Sequence, residues 1–114
     1  MTQARFDDKP IAMLRRVGRD ALAKKMIDLF RASAPQRVST IEQAVAGGDL
    51  AAAGRAAHSL KPSAGQLGAV KLSDVCQSIE DAARAGDVAA AGSLLPELRS
   101  ELTLALDWLN SPPE

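Results

Sequence analysis

Among 114 residues, 46% hydrophobic and 25% charged, there is enough apolar material for a single core and none of the charge excess that keeps a chain disordered. Fourteen basic residues offset fourteen acidic ones, so the chain lacks the basic field that nucleic acid or an anionic membrane requires of a main partner. One cysteine and one histidine exclude an internal disulfide and a thiolate-rich metal site, and no metal or other cofactor of its own is implied.

Leu, Ala, Glu, Arg and Lys dominate, and β-branched residues do not fall into alternating runs, which predicts an all-α chain. A short helix begins near Pro10, with Asp7 or Asp8 as its cap and proline in the first turn, and Gly18 marks the junction after it. Ala23, Ile27, Phe30, Ala34, Val38, Ile41 and Val45 then recur in steps of three and four straight through Pro35. One kinked helix over roughly 19–46 is therefore expected. Gly47-Gly48 ends it, and Asp49 caps the next helix, over about 49–67.

After the corner at Gly68-Ala69, a helix over about 71–85 places Leu72, Val75, Cys76, Ile79 and Ala83 on its apolar face. The last helix, from 88 to about 109, carries a stripe at Val88, Ala91, Leu95, Leu98, Leu102, Ala105 and Leu109. AGGDLAAAG (46–54) resembles ARAGDVAAAG (83–92), with Asp49 and Asp87 both in the cap position. An offset of 38 residues and the absence of large signature residues favour two similar helix–glycine–cap–helix turns over a tandem repeat.

Short links between long amphipathic helices predict an antiparallel up-down four-helix bundle with a small N-terminal helix across one end. Residues 1–114 form a single domain, with a core of about 8–110 and a frayed tail, SPPE, at 111–114. No apolar run approaches the ~20 residues of a membrane span, and MTQARFDDKP lacks the hydrophobic region of a signal peptide. A cytoplasmic protein is expected, and Met1 with the short tail favours a stand-alone one.

HSLKPSAGQLGA (58–69) holds the single histidine. On a wheel at about 100° per residue, Ala53, Ala56, Leu60, Ser63, Ala64 and Leu67 face one side and His58 the other. Its neighbours there are Ala51, Gly54, Arg55, Lys61, Pro62 and Gly65, so it is not core filling. Glycine costs ~1 kcal/mol against alanine inside a helix, and two of them beside His58 suggest that something comes close. Arg55 and Lys61, three residues either side, would meet a negative group attached to the ring.

His58 and Glu80 each lie 11 residues from Ala69, so an antiparallel hairpin sets them level on adjacent helices. A carboxylate there can accept from one ring nitrogen, fix the tautomer and leave the other nitrogen nucleophilic. Phosphoryl transfer fits: the imidazole attacks, and a cation such as Lys61 stabilises the moving charge. There is no P-loop, no kinase glycine-rich loop and no Asp cluster for magnesium, so the chain is not an ATP-using kinase. Cys76 reads as buried packing, Arg15, Arg16, Arg19, Lys24 and Lys25 as a solvated face, and Ser59 has no hydrolase partners.

His58, Leu60, Lys61, Ser63, Ala64, Leu67, Gly68, Ala69, Leu72, Cys76, Ile79 and Glu80, over about 23 contiguous residues, resemble the pattern of histidine-containing phosphotransfer (HPt) domains of bacterial phosphorelays. The resemblance implies that His58 is phosphorylated by a receiver-domain aspartate or a histidine kinase and passes the group to another response-regulator receiver. It implies that Lys61 assists the phosphoryl group, that Glu80 orients the ring, and that the partner receiver supplies magnesium. Gly54, Arg55, Pro62, Gly65, Gln77 and Arg84 are the expected docking residues of a monomer.

Pro62 departs from the family's small Gly or Ser; its ring removes an N–H and crowds the His58 carbonyl, so a local kink over 58–62 is expected. The alternative function is a non-phosphorylated helical adaptor that only docks a receiver or kinase.

Overall fold

Four glycines in the left-handed region set where the helices stop. The computed structural model describes residues 5–110. Its helices are α1 (Lys9–Arg16), α2 (Asp20–Ala46), α3 (Leu50–Leu67), α4 (Val70–Arg84) and α5 (Val88–Asn110). Gly18, Gly48, Gly68 and Gly86 have φ of 78°, 76°, 90° and 70°, one at each interhelical junction. At each junction the glycine N–H returns to a carbonyl three residues back, and the next N–H to one five back, as in Gly48 to Val45 and Asp49 to Ala44. This Schellman closure satisfies carbonyls that a helix end otherwise leaves open.

The two similar sequence stretches are two copies of this turn. Asp49 Oδ1 accepts from Ala52 N at 3.1 Å and Asp87 Oδ1 from Ala90 N at 2.9 Å. At α1 the cap is divided. Asp8 holds the capping position without a side-chain bond, while Asp7 Oδ1 accepts from Lys9 N at 3.0 Å.

α2 packs on α3 and α5, α3 on α4, and α4 on α5, the expected four-helix bundle. α2 runs unbroken through Pro35 for 27 residues, ~40 Å at 1.5 Å each, close to the 45 Å long axis. All seven of its predicted apolar positions are buried. Elsewhere the buried sets differ from the simple wheels. Ala57 is fully buried and Ala56 only half, because α3 is covered by both α2 and α4 and its buried arc is correspondingly wide. On α4 Ala82 is buried and Ala83 half-buried. On α5 Val88, in the first turn, is exposed and Leu95 half-buried.

The described packing also begins before residue 8. Lys71 N donates to Arg5 O at 3.2 Å and Asp7 N to Gly68 O at 2.7 Å, so the N-terminal segment straps the α3–α4 corner. Phe6 stacks on Trp108 with ring centroids 4.5 Å apart. Arg5 Nε pairs at 2.8 Å with Glu101, a buried carboxylate on α5 outside the predicted stripe. From this strap α1 passes onto α2 and α3, with Ile11 fully buried. The expected tail at 111–114 lies outside the described residues.

Candidate functional site

Burial of Ala53, Ala57, Leu60, Ala64 and Leu67 fixes the rotation of α3, and His58 therefore points outward with 70% of its side chain exposed. Glu80, on the facing side of α4, is 11% exposed, and its Oε2 lies 2.9 Å from His58 Nδ1. This is the level pairing that hairpin symmetry about Ala69 predicts. α3 is continuous through Pro62. The carbonyl of Ser59, one residue from that freed by the proline, takes hydrogen bonds from Arg37 at 3.3 Å and Ser63 at 3.5 Å.

Lys61 departs from the open position its wheel implies. Its side chain is 32% exposed and laid across α4, with Nζ 2.6 Å from Gln77 Oε1 and 3.5 Å from Glu80 Oε1. Arg84, one turn beyond Glu80, brings Nη2 to 3.5 Å from Oε2. Glu80 Oε1 is buried with no close hydrogen-bond donor, and the Lys61 ammonium at 3.5 Å offsets its charge. Burial pushes the Glu80 carboxyl up, but the hydrogen bond from His58 and the charges of His58 and Lys61 outweigh it and hold the group below its ordinary 4.5.

An ionised carboxylate only accepts hydrogen bonds, so Nδ1 donates. In the neutral ring the lone pair then lies on Nε2, the nitrogen turned away from Glu80. Cys76 sits beneath this cluster, fully buried. Desolvation, reinforced by the nearby Glu80 charge and only partly countered by Lys61, pushes its thiol up to about 12, which suits packing and not nucleophilic chemistry.

Beside the ring an open groove of about 550 Å³ is lined by Gly54, Arg55, Ala83 and Arg84 together with His58 and Glu80. Three expected docking residues, Gly54, Arg55 and Arg84, thus share it with the histidine. Pro62 and Gly65 are exposed farther along α3, outside the groove, and Gln77 is half-buried and turned toward Lys61. Gly54 has a packing reason as well: a Cβ there would lie 3.2 Å from Ala83 Cβ across the α3–α4 contact. Gly65 has no such demand, since its nearest neighbour would be Ser73 Oγ at 3.7 Å.

The links from Gln77 to Lys61, and from Gln77 to Asp81 at 2.9 Å, were not anticipated. The signal was present: Lys61 and Gln77 are each eight residues from Ala69, and Gln77 and Asp81 are one helical turn apart. Among the described residues, no three His, Cys, Asp or Glu side chains gather to hold a metal ion. No described helix is long and apolar enough to cross a membrane.

The family model of the Hpt domain matches residues 25–108, which include all of α3 and α4. The crystal structure of histidine-containing phosphotransfer protein B (HptB) from Pseudomonas aeruginosa PAO1 is similar to this chain, with a TM-score of 0.87 and 26% sequence identity. That match covers 96% of this chain and 95% of the other. A comparison with curated proteins gives no significant match. A bundle with this matched span and this relative belongs to the Hpt domain family, the phosphotransfer intermediates of two-component signalling.

Proposed function

We propose that His58 is the phosphate carrier, accepting the group from a receiver-domain aspartyl phosphate or a histidine kinase and passing it to another response-regulator receiver. The observation that supports this most is the 2.9 Å contact between His58 Nδ1 and a nearly buried, ionised Glu80, beside a ring that is otherwise open to solvent. Nε2 attacks the phosphorus of the aspartyl phosphate, the N–P bond forms, and the acyl P–O bond breaks to return a carboxylate to the receiver. The ring gains positive charge as it does so, and Glu80, already accepting the Nδ1 proton, offsets it without moving. Onward transfer is the reverse: an aspartate of the second receiver attacks, and the electrons of the N–P bond return to Nε2.

Lys61 and Arg84 are the cations within reach of this chemistry, and magnesium belongs to the receiver. The α3–α4 groove, with Gly54, Arg55 and Arg84, is the docking surface nearest the ring, and Pro62 and Gly65 extend it along α3. A monomer acting in the cytoplasm fits the same reading.

Incubation with a phosphorylated receiver tests it. Wild type should acquire an acid-labile, alkali-stable phosphate, and His58→Gln should not. A receiver that binds tightly yet leaves no phosphate on the wild type would favour the docking adaptor instead.

A further inference from the structure

Lys61 is not simply waiting in solvent for a phosphoryl group. Its Nζ donates to Gln77 Oε1 at 2.6 Å, a short charge-assisted bond between helices. The acceptor is itself held in place. Gln77 Nε2 donates to Asp81 Oδ1 at 2.9 Å, and because a carboxylate cannot donate, the amide is locked with its oxygen toward Lys61. Arg84 Nη1, at 3.4 Å, keeps Asp81 in position, while its Nη2 reaches Glu80. The buried, unbonded Oε1 of Glu80 at 3.5 Å adds a second attraction on the same side. The Gln77 and Glu80 contacts both draw the ammonium toward α4.

Granting that His58 is phosphorylated, we propose that Gln77 is a positioning residue that holds Lys61 in reserve over Glu80, in competition with the phosphoryl group on His58. A dianion on Nε2 attracts Lys61 from one side and the Gln77–Glu80 pair attracts it from the other. The share of its charge that reaches the phosphoryl group is set by the difference. Gln77 thereby tempers how strongly this protein retains phosphate, which suits a carrier that must release the group as readily as it takes it. The other charges beside the ring are Arg55, Glu80 and Arg84, none of which bonds to Gln77; besides Lys61, its replacement frees only Asp81, which Arg84 still holds.

Phosphoramidate can label His58 in this chain without any protein partner, and ³¹P NMR then tracks protonation of the phosphoryl group with pH. In Gln77→Leu the released lysine should make the acid dissociation constant of that group about threefold larger than in wild type. The same substitution made with Lys61→Ala should leave the constant where Lys61→Ala alone puts it, an outcome that a merely structural role would not produce. Gln77→Ala serves as a second variant, with helical circular dichroism confirming the fold. An unchanged or smaller constant, or an equal change without Lys61, overturns the proposal. Failure to label His58 overturns this proposal and the carrier role together. Labelling with the expected shift, but no transfer to or from any receiver, would remove the relay reading while sustaining the competition for Lys61.

Discussion

On the proposed carrier role, Glu80→Ala removes both the acceptor for His58 Nδ1 and the charge that offsets the ring as it becomes positive. A hydrogen bond to a charged partner contributes ~1.5–3 kcal/mol where water is excluded. Glu80 is 11% exposed but the His58 side chain is 70% exposed, so solvent screens the pair substantially. Roughly half the contribution, ~0.75 to 1.5 kcal/mol, is expected to remain, a factor of about three to ten in rate. Rapid-quench transfer from a phosphorylated receiver should therefore run about three- to tenfold slower in Glu80→Ala. Glu80→Gln keeps an acceptor for Nδ1–H without the charge, and its loss should be about threefold. Both variants should retain their helical signal, because the core residues of α4 are untouched. If Glu80→Ala transfers phosphate within twofold of wild type, the orientation and charge roles assigned to Glu80 are wrong.

The Glu80 carboxyl is held below its ordinary 4.5, so its pairing stabilises the fold fully above that value and progressively less as pH falls through the lower folded-state value. Urea unfolding below pH 4.5 should show this acid loss in wild type and a shallower one in Glu80→Gln; parallel curves would contradict the pairing. Cys76, buried with its thiol pushed up to about 12, should resist iodoacetamide at pH 8 in the native protein and react once unfolded, as read by mass spectrometry. Gly68→Ala should cost at least ~3 kcal/mol in denaturant unfolding, since φ is 90° and the new Cβ would fall 1.8 Å from Asp7 O. Gly18→Ala, with φ 78° but open space around it, should cost only ~1 kcal/mol, and equal losses would refute the strap contact at Gly68.

Helix limits were legible because Gly18, Gly48, Gly68 and Gly86 adopt a backbone that few other residues tolerate, and Asp49 and Asp87 cap α3 and α5. The His58–Glu80 pair was legible for a related reason: a short corner at Ala69 turns sequence distance into spatial level. The same arithmetic reaches Lys61 and Gln77, yet a lysine stem is long enough to fold back, and a wheel describes where a side chain starts and not where it ends.

The burial of Ala57 in place of Ala56 escaped because a wheel assumes one covering neighbour, and α3 is covered by both α2 and α4 and also meets α1. Glu101 escaped for another reason. Nothing in helical periodicity announces that Arg5, 96 residues away, will pair with it. The N-terminal strap has no periodicity of its own. Its placement rests on a stacked Phe6–Trp108 pair and on backbone bonds to the α3–α4 corner.

Glu80 occupies Nδ1, so on the proposed carrier role a phosphoryl group transferred from a receiver resides on Nε2 of His58. Long-range ¹H–¹⁵N correlation with ³¹P coupling on the phosphorylated protein identifies the nitrogen directly. The expected result is a single phosphorus-coupled Nε2 on His58, with Nδ1 protonated. Phosphate on Nδ1, or on any other residue, would contradict the assignment of His58 as a carrier oriented by Glu80.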